Sequence, residues 1–171
     1  AENGDYSRLP DRVSYKLRYN LRVLERNTSG GIASIRTNSD KLKIVAQIYS
    51  NKSFHMTDIM SAGLDIYLDG KYFKSLTSTY GALNEVIKLP NDEEKVIDVY
   101  FPLFGNVRDI KFYVDNNAVN KFSNEFGKSI VFYGSSITQG CCASNPAMSY
   151  AAIVSRKLGV VQINLGISGE G

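Results

Sequence analysis

The sequence predicts a protein in two parts, a β-sandwich at residues 1–120 and an α/β unit at residues 129–171, joined by a polar linker at 121–128. Up to about residue 118, apolar residues recur at short, alternating spacing between clusters of Asn, Asp, Gly and Pro. This pattern is typical of the strands of a sandwich. After the linker, the order apolar run, helical pattern, apolar run favours two parallel strands joined by a crossover helix.

Strands of the first part are predicted at the segments GIASIRTNS, KLKIVAQIYS, LDIYLDGKYFKSL, KVIDVYFPL and DIKFYVD. Within the third of these, Asp69-Gly70 separates two alternating runs. This dipeptide predicts a hairpin with a primed turn, because both central residues of such a turn need positive φ. Asp65 and Tyr67 alternate with apolar neighbours, so a structural role on one face of a strand is favoured for them.

The segment SYKLRYNLRVLER, residues 14–26, fits two patterns. Leu17, Leu21 and Leu24 would line one face of a helix, whereas the residues from Tyr15 to Val23 alternate as in a strand. A strand is favoured here.

The α/β unit begins with SIVFYG, a continuous apolar run typical of a parallel strand buried on both faces. NPAMSYAAIVSRKLG then predicts a helix with Asn145 or Ser144 as N-cap and Pro146 at the first helical position. Gly159 lies just beyond the last turn, where glycine commonly ends a helix. VVQINLG is the expected second parallel strand.

Composition limits the functions open to this chain. The 171 residues are 43% hydrophobic, enough to bury a core, and Lys+Arg 20 against Asp+Glu 17 give a formal charge of +3. Because this charge is mild and interspersed, no nucleic-acid partner is expected. No apolar run reaches the roughly 18 residues that cross a bilayer, so no membrane partner is expected. The sequence does not determine the cellular compartment. An extracytoplasmic location in a bacterium is one of the alternatives that stay open.

Hydroxyl side chains follow the first strand of the α/β unit: Ser135, Ser136 and Thr138. Reactive and binding groups gather beyond the carboxyl ends of parallel strands, so a serine here is a candidate nucleophile. A structural alternative stays open, in which Gly134 makes a tight turn and one serine only caps the next helical turn.

The motif GSSITQG at 134–140 resembles the first block of SGNH (GDSL-like) hydrolases, with Ser136 in the nucleophile's place and Ser135 where many members have aspartate. NLGISGEG at 164–171 resembles the second block, whose glycine, by position Gly169, supplies an oxyanion-hole amide. GLDIY at 63–67 resembles the G-x-D-L-Y signature of a β domain that precedes SGNH domains in mostly bacterial proteins. RLP, FHMTDIMSAG and FPLFGNV fit the same group.

The resemblance implies a serine ester hydrolase that acts through an acyl-serine at Ser136. The backbone amides of Ser136 and Gly169 would donate hydrogen bonds to the oxyanion. The implied fold is a jelly-roll-like sandwich followed by the first β-α-β unit of a flavodoxin-like hydrolase domain. An acylated carbohydrate or another small ester is the implied substrate, and no cofactor is implied. A competing hypothesis is a carbohydrate-binding or interaction module that catalyses nothing, which the 11 Tyr and 8 Phe leave open.

The family's asparagine block and its D-x-x-H pair are not present before Gly171. We therefore expect a truncated form that is inactive by itself. We also expect its α/β remnant to dock on the β domain, to pair with another copy, or to belong to a longer chain. The only histidine, His55, precedes the serine; the resemblance gives it no role as base, and with Ser135 it is expected to line the site.

Cys141 and Cys142 are adjacent, so they are poor disulfide partners for each other. A thiol nucleophile is not favoured, because no base or cationic cluster lies near them in sequence. No Cys/His spacing in the sequence resembles a metal site, so no metal is expected.

Overall fold

In the computed structural model, residues 6–123 and 127–170 are described. Residues 124–126 of the predicted linker, and the last residue of the motif at 164–171, lie outside the described part. Among the described residues, no helix is long and apolar enough to span a bilayer.

Two antiparallel sheets form the first part of the chain. One has the strand order β4-β3-β6-β1-β8 and the other the order β5-β2-β7. Their bounds are β1 Ile32–Thr37, β2 Lys41–Ser50, β3 Gly63–Leu68, β4 Lys71–Thr77, β5 Ala82–Lys88, β6 Lys95–Tyr100, β7 Gly105–Tyr113 and β8 Lys121–Phe122. The predicted antiparallel, strand-rich character is confirmed, whereas a jelly-roll path of the strands stays a prediction. β8 pairs with β1, so the sheet continues two residues beyond the predicted boundary at 120.

Alternate residues of both sheets meet in one hydrophobic core. In β2, Leu42, Ile44, Ala46 and Ile48 are buried, while the residues between them are half-buried or exposed. The same core takes buried side chains from the other sheet, including Leu64, Ile66, Ile97 and Val99. The period of two in the sequence therefore becomes an inner and an outer face, as the pleat of a strand requires.

The hairpin predicted at Asp69-Gly70 is confirmed. These residues connect β3 to β4, with φ of 47° at Asp69 and 75° at Gly70. Positive φ at both central residues is the backbone of a type I′ turn, whose twist matches that of the flanking strands.

The strand predicted at residues 14–26 is wrong. Two short helices lie here, α1 at Asp11–Ser14 and α2 at Tyr19–Leu24. Leu17, Leu21 and Leu24 are half-buried, while Tyr15 and Tyr19 are exposed. Burial at steps of four and three residues follows the helical face rather than the strand alternation, because only the leucine side of the segment has a surface to contact.

The second part contains the predicted parallel pair, β9 at Ser129–Gly134 and β10 at Val161–Gly166. A short helix α4, Ser136–Gln139, follows β9, and the helix α5, Tyr150–Leu158, precedes β10. The prediction that β9 is buried on both faces is wrong for this chain, since Val131 and Tyr133 are exposed. Self-association through such exposed apolar side chains stays a prediction.

Helix α5 begins later than predicted. Ser149 is its N-cap and accepts a hydrogen bond from the Ala152 amide at 3.4 Å. Pro146–Met148 instead forms a separate 3₁₀ turn. Asn145 makes no capping hydrogen bond: its Oδ1 accepts from the Ser144 hydroxyl at 2.5 Å, and its Nδ2 donates to Asp65 at 2.6 Å. The predicted end is confirmed, with Gly159 at φ of 62° directly after the last turn.

The second part docks on the β-rich part through polar and aromatic contacts. Asp65, on β3, is fully buried and accepts hydrogen bonds from Asn145 Nδ2 at 2.6 Å and the Ala147 amide at 2.7 Å. The Arg156 guanidinium lies over the Tyr67 ring at 4.6 Å and over the Tyr100 ring at 5.5 Å. Docking on the β domain, one of the three expected arrangements of the remnant, is thus observed.

Candidate active site

The two parallel strands end at the same level of the sheet. Gly134 pairs with Gly166, and the Ile167 amide donates to the Gly134 carbonyl at 3.0 Å. The loops that follow β9 and β10 therefore leave the sheet at one edge, side by side. This is the edge at which parallel sheets place binding and reactive groups.

Ser135 and Ser136 stand at the start of the loop after β9. Ser135 is exposed and precedes α4, and Ser136 is half-buried as the first residue of that helix. The Ser135 side chain makes no capping hydrogen bond to α4, and the Gln139 amide donates to the Ser135 carbonyl at 3.0 Å. The Ser136 carbonyl accepts from the amides of Gly140 at 3.0 Å and Cys141 at 2.8 Å.

Gly169 lies in a tight turn after β10. The Glu170 amide donates to the Ile167 carbonyl at 3.1 Å, and Gly169 has φ of 84°. A type II turn needs positive φ at its third residue, which glycine adopts without steric cost. A Cβ added to Gly169 would meet no atom within 4 Å. The turn's backbone conformation, rather than a close contact, therefore explains glycine at this position.

Gln139 joins the two loops, a role that sequence reasoning missed. Its side chain is fully buried, and its Oε1 accepts from the Ser168 amide at 2.9 Å. Its Nε2 donates to the Leu103 carbonyl of the β-rich part at 3.0 Å. One amide side chain thus connects α4, the loop after β10 and the β domain. The one feature of the sequence that could have pointed to Gln139 is its position within GSSITQG, three residues after Ser136.

Asn164 is a second positioning residue that the sequence did not single out. Its Nδ2 donates to the Thr138 carbonyl at 2.7 Å, and its Oδ1 accepts from the Gly166 amide at 2.9 Å. The buried side chain therefore connects the end of β10 to helix α4.

Gly166 allows α4 to lie directly against β10. A Cβ at this position would come within 2.6 Å of the Thr138 carbonyl carbon, closer than real Cβ contacts allow. We therefore expect Gly166→Ala to lower the free energy of unfolding by about 1–3 kcal/mol in urea titrations, the usual cost of overpacking. Gly127→Ala is the control, because a Cβ there meets nothing within 4 Å. Equal effects of the two substitutions would contradict the proposed close contact.

Arg8 holds the N-terminal segment at this edge of the sheet. Its guanidinium donates to the Gly166 carbonyl and, at 2.8 Å, to the Leu24 carbonyl. Burial lowers the pKa of Arg8 to about 10, and the nearby Glu25 carboxylate partly opposes this shift. The side chain therefore remains charged at neutral pH.

His55 is exposed and lies in the loop before helix α3, Asp58–Ala62. No hydrogen bond joins it to Ser136; its Nε2 instead lies 4.0 Å from Cys141 Sγ. Cys141 and Cys142 are free thiols. Burial, together with the neighbouring Cys142 thiol, raises the pKa of Cys141 to about 11. A thiol protonated at neutral pH is a poor nucleophile, which is consistent with the low expectation for cysteine catalysis.

The model of the GxDLY family, described as the N-terminus of SGNH-hydrolase-type esterases, matches residues 1–119. The chain belongs to this family. The model of the GDSL-like lipase/acylhydrolase family matches residues 127–171, with seven residues, 120–126, between it and the end of the GxDLY match. The two matches support an esterase or hydrolase at the level of the family.

Several solved structures are similar to this chain in fold. A GDSL-like lipase from Bacteroides ovatus ATCC 8483 is 32% identical at a TM-score of 0.86, covering 97% of this chain and 51% of that protein. The salicylyl-acyltransferase of a tetracycline biosynthetic pathway is 20% identical at a TM-score of 0.78, and the match covers 95% of this chain and 46% of that protein. A family two carbohydrate esterase from Clostridium thermocellum, in complex with cellohexaose, is 18% identical at a TM-score of 0.60. This match covers 82% of this chain and 46% of that protein.

At their low identities, the acyltransferase and the carbohydrate esterase show a shared fold only. The chain spans about half the length of these solved proteins. Among curated proteins no significant match is found.

Proposed function

We propose that this chain is the N-terminal part of a serine ester hydrolase whose acyl-enzyme forms on Ser136. The observation that carries the proposal is the in-register end of β9 and β10, which brings the Ser136 turn and the Gly169 turn to one edge of the sheet. Gln139 supports the same arrangement, because it ties α4 to the Ser168 amide.

In the proposed reaction, the Ser136 hydroxyl attacks the ester carbonyl while a base takes its proton. The carbonyl oxygen becomes an oxyanion, and the amides of Ser136 and Gly169 are the proposed donors to it. Collapse of the intermediate breaks the bond to the alcohol, which leaves with a proton, and water later releases the acid from the acyl-serine. Since His55 contacts Cys141 instead of Ser136, we assign the base to a part of a longer natural form.

The proposed substrate is an acylated carbohydrate or another small ester. Support comes from the family and from neighbours of the same fold that are described as carbohydrate esterases. We further propose a jelly-roll-like β domain that ends with β8 at Phe122, a linker at 123–128 and a flavodoxin-like hydrolase domain that begins at 129. The ends of the two family matches, at 119 and 127, support this division.

A fluorophosphonate, which phosphonylates a nucleophilic serine with loss of fluoride, tests the proposal. In a longer natural form, we expect intact-mass measurements to show one adduct, and peptide mapping to locate it on Ser136. Ser136→Ala should prevent labelling, whereas Ser135→Ala should retain it, because Ser135 is the exposed residue before α4. An adduct on Ser135, or labelling that survives Ser136→Ala, would overturn the assignment.

A binding module without catalysis is the second candidate function. Tyr19 is 76% exposed and Tyr49 50% exposed, and both line a groove of about 480 Å³ that also holds Arg22. Exposed aromatic rings of this kind stack on sugars. If the longer form is not labelled by the fluorophosphonate and yet binds an oligosaccharide through Tyr49, this second candidate replaces the esterase.

A further inference from the structure

Three side chains that are soft metal ligands converge beside the candidate active site. The ligand atoms of His55, Cys141 and Cys142 all lie within 4.8 Å of one another, and His55 Nε2 is 4.0 Å from Cys141 Sγ. His55 comes from the GxDLY part, whereas the cysteines follow Ser136 in the hydrolase part. Because His55 and Cys141 are 86 positions apart in the sequence, no local spacing could indicate the cluster.

We propose that His55, Cys141 and Cys142 bind one Zn²⁺ ion, with a fourth position open to water. On binding the ion the two thiols release their protons, and two thiolates with an imidazole form a ligand set that favours Zn²⁺ over hard ions such as Mg²⁺ and Ca²⁺. Tetrahedral Zn²⁺, with bonds of about 2.3 Å to sulfur and about 2.0–2.1 Å to nitrogen, needs its ligand atoms roughly 3.6–3.8 Å apart. The observed separations, 4.0 Å between His55 Nε2 and Cys141 Sγ and at most 4.8 Å for the other pairs, lie above this range, so binding requires the ligand atoms to close by up to about 1 Å.

Both ligand-bearing loops are held in place without the ion. Thr57, two residues after His55, caps helix α3 by accepting from the Met60 amide at 3.1 Å. The same hydroxyl donates to the Ser144 carbonyl at 3.0 Å, which joins the His55 loop to the cysteine loop. A site whose loops are already joined loses less conformational entropy on binding the ion.

The cluster can be reached from solvent. His55 and Cys142 are exposed and Cys141 is half-buried, so an ion can enter and keep a water ligand. The Phe54 ring lies edge-on to the imidazole at a centroid distance of 5.2 Å.

The ion would hold the turn that follows Ser136. The amides of Cys141 and Gly140 donate to the Ser136 carbonyl at 2.8 and 3.0 Å. A metal bound at Cys141 therefore restrains the backbone that carries Ser136 and connects it to the GxDLY part. This is a positioning role, and the binding of Zn²⁺ does not depend on the proposed ester hydrolysis.

Titration of the reduced 171-residue chain with Zn²⁺, in competition with a chromophoric chelator under anaerobic conditions, tests the site. We expect one ion per chain, confirmed by native mass spectrometry, and a thiolate-to-metal charge-transfer band when Co²⁺ replaces Zn²⁺. His55→Ala, Cys141→Ser and Cys142→Ser should each weaken binding by at least about 10–100-fold, the range already seen when outer-shell partners are lost. Ser53→Ala, in the same exposed loop, should leave the affinity unchanged.

Circular dichroism of each variant in the absence of metal shows whether it is folded. The absence of a 1:1 complex with the folded parent chain, or equal affinity of folded His55→Ala and the parent chain, would overturn the site. Hydrogen exchange tests the positioning role separately: Zn²⁺ should slow exchange of the Cys141 amide in the parent chain but not in His55→Ala. Unchanged exchange in the zinc-bound parent chain would overturn that role.

Discussion

Replacing Ser136 with alanine is expected to lower kcat for p-nitrophenyl acetate by about 10⁴–10⁶-fold in a longer natural form of this protein, the loss typical of a removed nucleophilic serine or its partners. The substitution removes the hydroxyl oxygen proposed to form the acyl-enzyme and leaves the backbone amides in place. Because the side chain is half-buried and small, we expect the folded structure to be retained.

Steady-state kinetics of three proteins measure this effect: the longer form, its Ser136→Ala variant and its Ser135→Ala variant. Ser135→Ala should lose far less activity, since that side chain is exposed and not proposed to form a covalent bond. The 171-residue chain should not turn over the ester, with or without Ser136. Turnover by the short chain that depends on Ser136 would show that the base lies within these residues.

Replacing Asp65 with alanine is expected to lower the free energy of unfolding by about 3–5 kcal/mol, because hydrogen bonds to a buried charged group each contribute roughly 1.5–3 kcal/mol. The carboxylate is fully buried and accepts from Ser75 Oγ at 2.6 Å, Asn145 Nδ2 at 2.6 Å and the Ala147 amide at 2.7 Å. Alanine leaves these donors without an acceptor at the contact between the two parts.

Asp65→Asn separates hydrogen bonding from packing. Its Oδ1 can face the Asn145 and Ala147 donors while its Nδ2 donates to the Ser75 hydroxyl, so we expect a loss of only about 1 kcal/mol. Urea unfolding gives both values, and Asp92→Ala, at an exposed position, serves as the control. If Asp65→Ala unfolds at the same urea concentration as this control, the carboxylate does not hold the two parts together.

Features that depend on neighbouring residues could be predicted from the sequence. The Asp69-Gly70 turn depends on the φ values of two adjacent residues, and the alternation in β2 directly reports which face is buried. The segment at 14–26 was different, because its leucines and tyrosines fit both periods. The choice between helix and strand depended on which side of the segment contacts the rest of the protein. Residues 14–26 alone do not carry that information.

The start of α5 shows the same limit. Pro146 after Asn145 is a good local helix start, but the Asn145 side chain binds Asp65, 80 residues earlier, and the helix begins at Ser149 instead. The motif around Ser136 identified the candidate nucleophile, and the motif at 164–171 identified the second block. It did not reveal Gln139 and Asn164, whose partners lie in other segments.

The sequence by itself determined the order of the two parts, the hairpin and the family motifs, because each of these depends on residues close together in the chain. Tertiary structure alone decided how the GxDLY part contacts the hydrolase part and which polar groups hold the Ser136 turn. It also decided that His55 meets Cys141 across 86 residues. The physical reason is that such contacts are selected by burial and by hydrogen-bond partners, which exist only after distant segments have packed together.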